Sequence, residues 1–297
     1  MRPVRRLAIP VLTGALALAN VGCGSKSERT PTGASERTGP VSRVPYPGDE
    51  GLATSMVAPP LGLVQQFGVL AASGVTAAGT AVVAGDVGSC PTPSITGAGL
   101  STVPPFTIHP AADAVVCQAQ TDATAASTNL LGQGPGTAQA AQLGGTNLGP
   151  GVYTFASTAD IAAGTTFTLT GAGSYIFLVG SAVTANVGSN MVLIGVDPCE
   201  VFWRVGSDAT LNGVNFVGTV IAGAAGAGSV TVGTGANLVG RAVSLTAAVT
   251  MPGTGQTIGG CSSLVAGPGP VPALPNGMEW ALLVILAATG AYVLSRR

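Results

Sequence analysis

The middle of the chain alternates between short apolar runs and glycine turns, which is the pattern of many short β-strands. Turn residues recur about every six to ten positions. The clearest runs occupy residues 152–155, 167–169, 175–179, 192–194, 201–205 and 216–221. Strands this short at this density predict a β-sandwich, a β-barrel or a β-solenoid.

One segment departs from the strand pattern. Residues 110–131 are rich in Ala, Val, Gln and Asp and contain no glycine. Pro110 at the start of the segment is compatible with a first helical turn. The segment therefore predicts a single long α-helix, whose alanine-rich face could lie close against a flat sheet.

A repeat in the second half of the chain discriminates among the three β architectures. Four segments share a small residue, then Val or Ala, then Thr, then an apolar residue, with a glycine close behind. The shared threonines are Thr184, Thr210, Thr231 and Thr250, at intervals of 26, 21 and 19 residues. Such intervals correspond to about one turn of a three-faced β-solenoid.

The alternation of side chains along a strand gives each threonine a direction. Val183 and Ala185 flank Thr184 and are expected to point into the core, so the threonine points outward, and the other three repeats read the same way. The predicted outward set is Thr184, Asn186, Thr210, Asn212, Ser229, Thr231 and Thr250. Rows about 4.8 Å apart would form a stiff, uncharged grid that suits a flat, ordered target. The alternative is that an outward threonine is only a good strand residue on a solvent-facing sheet.

Composition and charge narrow the possible functions. Charged residues make up 8 % of the chain and the net charge is −1, so long-range attraction to nucleic acid is not expected. His109 is the single histidine and the acidic residues are scattered, so neither a catalytic dyad nor a metal site is expected. We predict no enzyme activity, no catalytic residue, no metal and no cofactor.

Five cysteines occur in the chain, and Cys23 belongs to the N-terminal region discussed below. The remaining four, an even number, are Cys90, Cys117, Cys199 and Cys261. Four cysteines in an oxidising compartment allow three pairings. Closeness along the chain favours Cys90 with Cys117 and Cys199 with Cys261, and free buried cysteines remain the alternative.

The two ends of the chain predict export and retention at the cell envelope. Residues 1–22 form a secretory signal pattern, after which Cys23 is a candidate for lipidation, with ordinary signal cleavage as the alternative. Residues 23–60 have the composition of a disordered linker. A β domain over 61–262 and a Pro/Gly linker over 263–278 precede an apolar helix at 279–297. That helix, closed by two arginines, resembles C-terminal sorting tails of the IPTL or PEP type, or is a plain membrane anchor.

The β domain resembles a known family. The motifs that carry the resemblance occupy residues 61–89, 107–123, 143–155, 173–180, 199–211 and 239–250. They are similar to the bacterial and fungal ice-binding domain often called DUF3494, or type-1 ice-binding protein. The resemblance implies a mainly β fold, an irregular three-faced β-solenoid with one long α-helix packed alongside and a capping insertion.

The same resemblance implies a function. A flat face rich in Thr, Ser, Asn and Ala would contact ice, so the expected partner is ice or an ordered water surface. We expect a monomeric, exported ice-binding protein that lies at the cell surface or is released after sorting. The alternative is a structural or adhesive envelope protein with the same fold and no affinity for ice.

Overall fold

The computed structural model describes residues 56–261, and the predictions for residues 1–55 and 262–297 lie outside this range. The described chain contains one α-helix, α1 (Ala114–Gly132), two short 3₁₀ turns and 21 β-strands. The strands are β1 (Phe67–Ala71), β2 (Gly74–Ala77), β3 (Ala81–Ala84), β4 (Asp86–Ser89), β5 (Ile95–Thr96), β6 (Leu100–Thr102), β7 (Thr137–Ala138), β8 (Asn147–Leu148), β9 (Gly151–Phe155), β10 (Ala159–Ile161), β11 (Thr166–Thr170), β12 (Tyr175–Val179), β13 (Val183–Ala185), β14 (Asn190–Ile194), β15 (Val201–Val205), β16 (Ala209–Leu211), β17 (Asn215–Ala222), β18 (Val230–Val232), β19 (Asn237–Ser244), β20 (Ala248–Met251) and β21 (Gln256–Gly259).

The strands stack in parallel into three faces of a β-solenoid, as the sequence predicts. The first face runs β10-β13-β16-β18-β20-β2-β5. The second runs β8-β11-β14-β17-β19-β21-β3-β6, and the third runs β7-β9-β12-β15-β17-β19-β1-β4. The long strands β17 and β19 belong to both the second and the third face. The predicted fold class is therefore confirmed.

The order of the coils in space differs from their order along the chain. Strands β1 to β6, from the N-terminal part, stack beyond β19, β20 and β21, which end the described chain. The helix α1 then returns the chain to the opposite end of the stack. Its 19 residues span about 28 Å, and the six strand spacings from β4 to β9 span about 29 Å. The length of the helix thus matches the height of the stack.

The helix begins four residues later than the sequence pattern predicts. Asp113 is its N-cap, and the side chain accepts a hydrogen bond from the backbone N–H of Val116 at 2.9 Å. Pro110 therefore lies before the helix, because the first backbone donors are satisfied by the Asp113 carboxylate. Within residues 56–261, no helix has both the length and the apolar character needed to cross a bilayer.

The alternation of side chains separates two apolar clusters. Trp203 lies inside the solenoid and stacks on Phe177, with ring centroids 4.0 Å apart. Its neighbour Phe202 points out of the third face and packs under α1. The helix meets this face with fully buried alanines, among them Ala119 and Ala123, and such small side chains allow its backbone to approach the sheet closely.

The cysteines behave differently in the two predicted pairs. Cys90 and Cys117 form a disulfide with Cα atoms 5.2 Å apart, which ties the chain after β4 to the first turns of α1. The second predicted bond is not formed: Cys199 and Cys261 are free thiols whose side chains hydrogen-bond to each other.

The domain extends slightly beyond its predicted start at residue 61. The backbone N–H and carbonyl of Val57 bind the side-chain amide of Gln133, at 3.3 and 2.7 Å. Pro59 is buried. Residues 57–59, which composition assigns to the linker, therefore pack against the end of α1.

Candidate functional site

The four threonines of the sequence repeat lie side by side on the first face. Thr184 pairs with Thr210, Thr210 with Thr231, and Thr231 with Thr250 in adjacent parallel strands. The register continues from Thr250 to Thr76 and from Thr76 to Thr96. These six residues, Thr76, Thr96, Thr184, Thr210, Thr231 and Thr250, are called the threonine column below.

The threonine column points outward, because the residues on either side of each member of the repeat point inward. Val230 and Val232, which flank Thr231, are completely buried, whereas Thr231 is partly exposed. The hydroxyls of Thr231 and Thr250 lie 3.4 Å apart, and that of Thr96 donates to that of Thr76 at 3.2 Å. A β-branched side chain on a sheet has few rotamers, so the column is a stiff row of hydroxyls and methyls.

The other predicted members of the grid flank this row. The amide nitrogen of Asn186 donates to Asp160 at 2.8 Å, and the hydroxyl of Ser229 donates to Asp208 at 2.8 Å. Asn212 lies over the next coil, where a Cβ on Gly233 would come within 2.1 Å of its side-chain oxygen. The absence of a side chain on Gly233 therefore makes room for Asn212.

Two carboxylates border the threonine column. Asp160 occupies the same register position as Thr184 in the edge strand β10, and its oxygens accept from Asn186 and from Gln142 at 2.8 Å each. Asp208 accepts both the backbone N–H and the hydroxyl of Ser229. Asp160 lies in the edge strand and Asp208 lies just before the first residue of β16, so both charges lie beside the threonine column rather than within it.

Sequence reasoning missed the two N-terminal members of the threonine column. Thr76 stands between Val75 and Ala77 with a glycine close behind, so it carries the same local signal as the four threonines that were recognised. Thr76 precedes Thr184 by more than 100 residues along the chain, so an interval of about one coil does not connect it to the other four threonines. Only the return of the chain through α1 places β2 next to β20.

The second face carries a different polar row, the asparagine ladder, formed by Asn190, Asn215 and Asn237. The amide nitrogen of Asn215 donates to the side-chain oxygen of Asn190 at 2.8 Å, and that of Asn237 donates to the side-chain oxygen of Asn215 at 2.9 Å. Thr257 extends the ladder by donating to Asn237 at 2.5 Å. The side chains of the ladder therefore satisfy one another along the axis of the stack.

The surface around the asparagine ladder is less regular than the first face. Strand β14 meets β17 through the single pair Asn190–Asn215, so the rows beyond the ladder are not continued in register. Ile194 and Val214 also project from this side and are 55 % and 53 % exposed. Bulky projections and a broken register make it a poorer template for a flat, periodic target.

His109 forms a small polar cluster with two aspartates. The imidazole lies between Asp113, 3.0 Å from Nδ1, and Asp86, 3.4 Å from Nε2. The backbone N–H of Val116 and then His109 lower the pKa of Asp113. The cluster joins the loop before α1 to β4. Among residues 56–261 no cluster of side chains suited to holding a metal ion is found.

These features define a class of protein: a helix-backed parallel β-solenoid whose open face is flat, uncharged at its centre and lined with threonine. Comparison with known proteins gives the family. The sequence profile of the Ice-binding-like family matches residues 69–257, which is more than half of the chain. The chain belongs to this family, whose members are binding proteins rather than enzymes.

Individual relatives agree with this assignment. An ice-binding protein of Nostoc sp. (strain HG1) is 35 % identical over 201 residues, covering 64 % of this chain and 71 % of the relative. Ice-binding protein 1 of Shewanella frigidimarina (strain NCIMB 400) is 30 % identical over 237 residues. That match covers 67 % of this chain but only 26 % of the much longer relative.

Solved structures show the same fold. An ice-binding protein from an Antarctic biological consortium superposes with a TM-score of 0.62 at 29 % identity, covering 69 % of this chain and 92 % of the other. The ice-binding protein of the Antarctic ascomycete Antarctomyces psychrotrophicus superposes with a TM-score of 0.60 at 31 % identity, covering 68 % of this chain and 98 % of the other.

Proposed function

We propose that this protein adsorbs to ice through its first face, with the threonine column at the centre of the contact. The observation that carries the proposal is the register of six threonines across six adjacent strands. Relatives in the same family are ice-binding proteins, and this supports ice as the flat, ordered target of the first face.

The physics of the contact follows from the rigidity of the row. Neighbouring hydroxyls recur at the strand spacing of about 4.8 Å, and their methyl groups favour ordered water around them. A side chain that is already held in one rotamer loses little entropy when water or ice orders against it. The lack of charge at the centre avoids strongly hydrated groups that would disrupt an ordered water layer.

The test compares two faces of the same molecule. In one variant Thr210→Tyr and Thr231→Tyr place two bulky rings at the centre of the threonine column. In the matched variant Thr168→Tyr and Val192→Tyr place the same rings on the second face, where these two residues are partly exposed and paired in register. Both variants are compared with the parent by circular dichroism, thermal hysteresis and partitioning into a slowly grown ice hemisphere.

We expect the first variant to lose thermal hysteresis and ice partitioning while keeping the circular dichroism spectrum of the parent. We expect the second to keep both activities. Loss of activity only in the second variant would move the contact to the second face. Exclusion of the parent protein from the ice would favour the alternative, a structural or adhesive envelope protein that shares the fold.

The proposal also includes the cellular setting that the chain ends indicate. A signal pattern over residues 1–22, a candidate lipidation site at Cys23 and an apolar C-terminal segment would hold a monomeric domain at the cell envelope. Fractionation of expressing cells tests this, because a Cys23→Ser variant should leave the envelope fraction if lipidation is the main anchor. Retention of that variant would assign the anchoring to residues 279–297.

A further inference from the structure

Two thiols and one guanidinium meet where the described chain ends. Cys199 lies in the 3₁₀ turn Pro198–Glu200 before β15 and is partly exposed. Cys261, two residues after β21, is only 1 % exposed. Their side chains hydrogen-bond to each other, although 62 positions separate them along the chain. Arg241 of β19, itself 3 % exposed, lies within electrostatic reach of both.

Arg241 holds the C-terminal coil in place through neutral partners. Its Nη2 donates to the carbonyl of Gln65 at 3.2 Å and to the carbonyl of Cys261, and its Nη1 donates to the hydroxyl of Thr219 at 3.2 Å. Within residues 56–261 no carboxylate forms an ion pair with it, and its Nε has no hydrogen-bond partner. A buried positive charge without a carboxylate favours an anion nearby, and the two sulfur atoms are the groups that can supply one.

The two thiols are not equivalent. The hydrogen bond from Cys261 is the main cause that lowers the pKa of Cys199, and the charge of Arg241 acts in the same direction. Cys261 keeps its proton, because that same hydrogen bond, together with burial, raises its pKa. The more exposed sulfur is therefore also the one that ionises first, as in pairs made of an attacking and a resolving cysteine.

We propose that Cys199 and Cys261 are a redox-active dithiol that closes into a second disulfide by exchange with a small-molecule or protein disulfide. The Cys199 thiolate attacks one sulfur of the incoming disulfide, forms a mixed disulfide and releases one thiolate. Cys261 then loses its proton and attacks the Cys199 sulfur, which releases the second thiolate. The protein dithiol is oxidised, the incoming disulfide is reduced to two thiols, and a reductant reverses both steps.

Closure would fasten the end of the β domain. The bond would join the residue that follows β21 to the turn that precedes β15, across the two strands β17 and β19. Strand β21 also pairs with β3, so the N-terminal coils stack on the coil that the new disulfide would hold in place. Closure is therefore expected to raise the midpoint of thermal unfolding, with little change on the first face.

The experiment incubates the full-length protein in buffers of defined ratios of oxidised to reduced glutathione, then blocks free thiols and digests without reduction. Chymotrypsin cuts after aromatic residues and so places all five cysteines on separate peptides. The expected product is a linked peptide pair containing Cys199 and Cys261, with the mass of two hydrogen atoms lost and a higher unfolding midpoint.

Single variants test the order of the steps. In Cys261→Ser, glutathione should accumulate on Cys199, whereas in Cys199→Ser it should reach Cys261 at least about tenfold more slowly, because that thiol is buried and protonated. Absence of the linked pair under conditions that keep Cys90 joined to Cys117 would overturn the proposal. Equal rates in the two variants would overturn the assignment of Cys199 as the attacking residue.

Discussion

Replacing Phe202 with alanine should release α1 from the third face of the solenoid. The Phe202 side chain is 1 % exposed and lies among Ile176, Ile221 and the helix. Truncating a buried phenylalanine combines lost transfer free energy with a cavity, and costs about 3–5 kcal/mol. The free energy of unfolding of a typical domain is only about 5–15 kcal/mol, so the loss should be large.

The helix is the element that should respond most. Most of the stability of a helix within a protein comes from the packing of one face, and α1 has no acidic residue in its first turn and no basic residue in its last. Urea unfolding measures the total loss, and amide hydrogen exchange measures the protection of α1 separately. Val192→Ala is the control, because that partly exposed side chain on the second face should cost less than about 1.5 kcal/mol. A loss below about 1 kcal/mol for Phe202→Ala, or unchanged protection in α1, would refute this reasoning.

Three further predictions concern the disulfide, the helix cap and the extent of the contact surface. Replacing Cys90 and Cys117 together with serine should lower the free energy of unfolding by about 3.5 kcal/mol in urea, since their separation of 27 residues sets the chain entropy released; a change below 1 kcal/mol would contradict this. The pKa of Asp113 lies below its usual 3.8 because its carboxylate accepts a hydrogen bond from the backbone N–H of Val116 and, second, interacts with His109. The contribution of Asp113 to the free energy of unfolding is therefore complete above pH 3.8 and is lost as the pH falls through the lower pKa of the folded state. Asp113→Asn should therefore flatten the stability profile below about pH 4, and a profile identical to the parent's would rule out this role. Finally, a Thr96→Tyr variant, altered at the edge strand β5, should retain more ice partitioning than a Thr231→Tyr variant, altered at the centre of the first face. A bulky ring at the centre would hold the strands on both sides of it away from the ice surface, whereas a ring at the edge would affect one side only. Equal losses would argue against a flat contact across the sheet.

Local pattern was sufficient for several features of this protein. The period-two alternation predicted that the repeat threonines point outward, and this is observed because their strand neighbours are buried. The intervals between repeats predicted one coil per repeat, which the pairing of Thr184, Thr210, Thr231 and Thr250 confirms. These properties depend on neighbours a few residues apart, so the sequence carries them directly.

Other features were decided by the tertiary structure alone. Thr76 lies beside Thr250 because α1 returns the chain along the stack and the coils then build back toward the N-terminal strands. The asparagine ladder likewise depends on which coils become neighbours. No local pattern specifies the order in which coils stack; that order follows from the fit between the length of the helix and the height of the solenoid, and from the burial of both against each other.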